Sequence, residues 1–84
     1  NVHIPYAGEI AKTDLLIPFN TIDQHQDQLP YDKDTKIVVY CITGPMGYIA
    51  AEKLISLGYT QVIHFQGGMR AWKKAGKQLV YRPK

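Results

Sequence analysis

One cysteine stands in 84 residues, and that scarcity removes several chemistries at once. A lone thiol excludes an internal disulfide and a zinc site built from several thiolates, and it makes Cys41 the only thiol nucleophile in the sequence. Long apolar runs are missing too. Nothing approaches the roughly 20 residues that span a bilayer, and the first residues lack the basic-then-apolar pattern of a secretory signal. The expectation is a soluble protein without a membrane partner, with the cytoplasm favoured over the periplasm or secretion. Excess charge of one sign is small, a net +3. Arg70, Lys73, Lys74 and Lys77 fall at helical spacing and read as a solvated face suited to a helix C-terminus, not as a nucleic-acid footprint. His3, His25 and His64 share no ligand spacing with one another or with Cys41, so neither a metal nor a cofactor is expected.

What is present is a folded globule's composition, 45% hydrophobic and 20% charged, in a length that makes one small domain. Its centre is Lys36 to Ser56. Ile37, Val38, Val39 and Tyr40 run apolar without alternation, which predicts a strand covered on both faces of a parallel sheet. Cys41 lies at the carboxyl end of that strand. From Gly47 the period changes, and Tyr48, Ala51 and Ile55, with Leu54 beside them, predict the buried face of a helix that Gly58 stops.

A thiol between a strand and a helix has a chemical use. The first amides of a helix lack internal partners and, with the helix dipole, favour an anion or a thiolate. Gly44 and Gly47 allow the loop backbone to turn its amides inward as a nest, while Pro45 contributes no N–H. The candidate donors are the amides of Ile42, Thr43, Gly44, Met46, Gly47 and Tyr48. The alternative is that Cys41 is a small buried hydrophobe, the usual behaviour of free cysteine.

On either side of this centre the pattern alternates strand and helix. Asn1 to Ile4 resembles the end of a strand, and Asn20 is placed to cap a helix over residues 21–29 that Pro30 ends. Gln61 to Phe65 predicts a second short strand. Gly67-Gly68 turns it into a helix over residues 69–75, with Met69 and Trp72 inward. Leu79 to Tyr81 reads as an edge segment. Such alternation with short connections indicates an α/β layer with a parallel sheet flanked by helices, whose ligands bind beyond the carboxyl ends of the strands.

These residues resemble a single-domain rhodanese over nearly the whole chain. IVVYC with its loop and helix, then LGYTQVIHFQGGMRAWKKAG, match the family's nucleophile strand and its Gly-Gly turn and Ala-Trp helix. Asn1-Val2-His3, Gly8-Glu9-Ile10 and Ile17-Pro18 fall on further family positions. The resemblance implies one rhodanese-like domain over residues 1–84, N-terminally incomplete because the family's usual first strand and helix are absent from it. It also implies a sulfurtransferase that moves a sulfane sulfur through a persulfide on Cys41, with Ile42, Thr43, Gly44, Met46, Gly47 and Tyr48 binding substrate. The implied partners are a small sulfur donor, either thiosulfate or a low-molecular-weight or protein persulfide, and a thiol or cyanide acceptor. A partner protein would suit a non-catalytic interaction module of the same fold.

Departures from the family pattern shape these expectations. Met46 stands where the family's loop commonly has arginine, which removes a cation from the oxyanion site and makes thiosulfate a poor donor beside persulfides. A phosphatase or arsenate reductase would need an arginine six residues after the cysteine, where this chain has Gly47. Tyr48 is expected at the pocket border and Tyr40 beneath it. His3 reaches the loop only if its segment neighbours the central strand.

Overall fold

A computed structural model describes residues 1–83. Two short strands, β1 (Ile37–Val39) and β2 (Val62–His64), pair in parallel with Ile37 opposite Val62 and Val39 opposite His64. The crossover between them is α1 (Pro45–Ser56), and β2 leads through the Gly-Gly turn into α2 (Gly68–Lys74). Backbone bonds from Ile37 to Gln61 and from Phe65 to Val39, both 2.9 Å, extend the pairing at each end. The N-terminal segment lies along the other side of β1. Val2 donates to the Tyr40 carbonyl, and Phe19 donates to that of Val2, each at 3.0 Å. The extended start predicted for residues 1–4 is therefore tied to the end of β1 by a single backbone bond instead of a ladder. The edge expected at residues 79–81 is a single antiparallel bridge, with Val80 and Glu9 exchanging two bonds of 2.8 Å.

The core lies between the sheet and α1. Val2, Ile17, Ile22, Val39, Cys41, Ala50, Ala51, Leu54 and Tyr59 form one buried cluster. A Schellman motif ends α1: Gly58 donates to the Ile55 carbonyl and Tyr59 to that of Leu54, while Leu54 and Tyr59 join the buried cluster. Gly47, Ala50, Ala51 and Leu54 are the buried side of α1. Tyr48 and Ile55, expected inward, are each 58% exposed. The helix is rotated toward its smallest residues because they allow it to approach the sheet closely.

Two further expectations are corrected. The unbroken apolar run of β1 predicts cover on both faces, yet Val38 is 55% and Ile63 46% exposed. Among the described residues α1 covers one face, while α2 is tied to the Cys41 loop beyond the strand ends. The helix predicted over residues 21–29 is instead two 3₁₀ turns, Ile22–Gln24 and Gln26–Gln28. Asn20 does not cap it, since the first turn begins after Thr21 without a side-chain cap. At the break, Nδ1 of His25 bonds the Thr21 carbonyl at 2.9 Å, taking the acceptor that the His25 amide would use in an α-helix. Ile22 still reaches the core.

Candidate active site

Tyr40 fixes the approach to the cysteine. It is buried just after β1, and its hydroxyl accepts from the Ile10 amide at 2.9 Å and pairs with Thr13 Oγ1 at 2.6 Å. Cys41 follows, 2% exposed, at one wall of a cavity of about 240 Å³. His3, Ile42, Thr43, Pro45, Met46 and Arg70 complete the lining.

The Gly-Gly turn and the first turn of α2 hold the loop from behind. Met69 donates to the Cys41 carbonyl and Arg70 to that of Ile42, both at 2.9 Å, and Gly67 donates to Thr43 at 3.0 Å. Gly68 must be glycine here: its φ is +51°, and a β-carbon would stand 2.0 Å from the Cys41 carbonyl oxygen. With the carbonyls so occupied, the amides of Ile42, Thr43, Gly44, Met46 and Gly47 donate to no protein acceptor among the described residues. Tyr48 is different, because its amide closes onto the Gly44 carbonyl at 2.9 Å. Unpartnered N–H groups on consecutive loop residues are what an anion needs.

Of the residues expected to bind substrate, Ile42, Thr43 and Met46 line the cavity with Cys41. Gly44, Gly47 and Tyr48 do not. Gly47 is buried on the far side of the loop, where a β-carbon would meet His64 Nε2 at 2.5 Å. That ring nitrogen is itself buried without a hydrogen-bond partner among the described residues, although a histidine in the sheet is expected to have one. His3 does reach the cavity, because Val2 pairs with Tyr40, and burial lowers its pKa from 6.5 so that it is mainly uncharged at neutral pH. Sequence reasoning missed Pro45 and Arg70. The signal for Arg70 is the Gly-Gly pair, which has to lie against the cysteine loop and carries the next residues with it.

A model of the rhodanese-like domain matches residues 1–75. The chain belongs to the rhodanese-like family. A sulfurtransferase of Allochromatium vinosum is 33% identical over 66 residues, covering 79% of this chain and 60% of that protein. The adenylyltransferase and sulfurtransferase uba4 of Ogataea parapolymorpha is 32% identical over 73 residues, covering 87% of this chain and 17% of the other. This rhodanese-like chain therefore spans less than two thirds of either relative. Among solved structures, the reduced Bacillus anthracis CoADR-RHD superposes with a TM-score of 0.76 at 28% identity, over 95% of this chain and 14% of that one. The Helicobacter pylori protein hp1203 superposes with a TM-score of 0.63 at 30% identity, over 79% of this chain and 59% of that one. The α/β architecture with a parallel sheet and two helices is that of these neighbours. Among the described residues, no helix is long and apolar enough to cross a membrane.

Proposed function

We propose that this rhodanese-like domain is a sulfurtransferase whose Cys41 carries a sulfane sulfur between a small donor and a thiol or cyanide acceptor. The observation that supports it most is the pairing of the Cys41 wall with a loop in which the amides of Ile42, Thr43, Gly44, Met46 and Gly47 have no protein acceptor among the described residues. In the first half-reaction the thiolate attacks the outer sulfur of the donor. One S–S bond forms, another breaks, and the electron pair leaves with the donor's remainder. The loop amides steady the persulfide anion that results. Acceptor attack on the outer sulfur then returns the thiolate. His3, which lines the same cavity, would take the thiol proton before the first step.

Intact-mass measurement after exposure to a sulfane donor tests the proposal. Wild-type protein gains one sulfur, removable by cyanide, and Cys41→Ser gains none. Absence of the adduct in the wild type refutes the proposal. The bare sheet face with Val38 and Ile63 supports a second reading, a binding module that holds a partner protein. In that case partner capture survives Cys41→Ser and no sulfur is taken up.

A further inference from the structure

Arg70, Lys73, Lys74 and Lys77 share one helical stripe in the sequence, but the structure gives Arg70 and Lys77 different surroundings. Arg70 is exposed, its amide is bonded to Ile42 of the cysteine loop, and it lines the Cys41 cavity. Lys77 turns elsewhere, with its ammonium 5.0 Å from the Trp72 ring centre. Among the described residues the ion pair is Arg82 with Glu9, and the Arg70 guanidinium has neither a carboxylate nor a hydrogen-bond acceptor. The other residues lining the cavity are uncharged apart from what His3 and Cys41 gain by titration, so Arg70 is its only permanent charge. A free guanidinium presents several N–H donors in a plane that matches a sulfonate or a carboxylate.

We infer that Arg70 is the specificity-determining residue of this cavity, selecting sulfane donors that carry a sulfonate or carboxylate close to the transferable sulfur. This rests on Cys41 being the sulfur carrier. The cation missing from the loop at Met46 is thereby supplied from α2, and thiosulfate returns as a competent donor. With thiosulfate, the Cys41 thiolate forms the new S–S bond, the S–S bond of thiosulfate breaks, and sulfite leaves with the electron pair. Two negative charges leave beside Arg70, and one remains on the persulfide.

The test compares three donors on wild type, Arg70→Gln and Arg70→Lys: thiosulfate, N-acetylcysteine persulfide, and the same persulfide with its carboxylate capped as a carboxamide. Losing a charge-assisted contact raises the KM for the charged donors by about tenfold or more in Arg70→Gln. Arg70→Lys recovers part of that loss, and the carboxamide donor changes by less than about twofold in either variant, since it lacks the group that a guanidinium pairs with. The larger loss identifies which anion, sulfonate or carboxylate, is the better fit. Equal losses for all three donors, or no loss for the charged ones, overturn the inference. If the wild type takes sulfur from no donor, the carrier reading fails, and Arg70 is judged separately by sulfate protection of Cys41 against iodoacetamide at fixed ionic strength. Protection in the wild type at about tenfold less sulfate than in Arg70→Gln supports an anion site, as expected for a lost charged contact. Equal protection, or none, removes it.

Discussion

Replacing Gly47 by alanine puts a methyl group 2.5 Å from His64 Nε2 and 2.8 Å from its Cδ2. Both are ring atoms of a side chain rooted in β2, so relief requires the ring or the helix to move. Overpacking of this kind costs about 1–3 kcal/mol. Alanine's helix propensity over glycine offsets up to about 1 kcal/mol of it. Gly47→Ala is therefore expected to destabilise the wild type by up to about 2 kcal/mol, the difference of those two figures. In a His64→Ala background the obstacle is gone, and the same change is expected to stabilise by up to about 1 kcal/mol, the propensity alone. The sign reverses, with a coupling of about 1–3 kcal/mol across the double-mutant cycle. Urea melts of the four proteins measure it. In a chain of this size each kcal/mol also moves the melting temperature by roughly 4–8 °C. If Gly47→Ala destabilises both backgrounds equally, contact with the imidazole is not what opposes the methyl group.

Three further outcomes follow from the same contacts. Gly68→Ala meets the Cys41 carbonyl oxygen and adopts a left-handed φ, so a loss of about 2–5 kcal/mol is expected from strain and overpacking together, and calorimetry should show it. Tyr40→Phe leaves the Ile10 amide without its acceptor and is expected to cost about 1–3 kcal/mol in a urea melt, with the secondary structure unchanged by circular dichroism. Burial alone would push the Glu9 carboxyl up, but hydrogen bonds from Tyr6 and Arg82 and the Arg82 charge outweigh it and hold its pKa below 4.5. The folded state thus binds fewer protons than the unfolded state. This contribution is complete above about pH 4.5 and is lost as pH falls through the folded value, so Glu9→Gln should flatten the acid limb of a melting-temperature profile.

The strand, loop and helix around Cys41 were legible because apolar period and glycine placement change together within a few residues. The Gly-Gly turn was legible for the same reason. The rotation of α1 was not, since Tyr48 and Gly47 differ by one position on the helix and the choice depends on where His64 sits in another element. The two turns over residues 22–28 escaped because periodicity does not register a histidine ring competing for a backbone carbonyl. Arg70 was hidden among lysines at helical spacing, and its place at the Cys41 cavity comes with a bond between its amide and a loop far away in sequence.

The cysteine loop is gripped through its oxygens and left open at its nitrogens, and the grip comes from a helix only seven residues long. Such a helix has little stability apart from what it docks against. Should it fray, the Cys41 and Ile42 carbonyls would lose their donors together, and the peptide planes around the sulfur would be free to turn over. Readiness of the thiol and docking of the last helix are in that sense one property, present or lost as a unit.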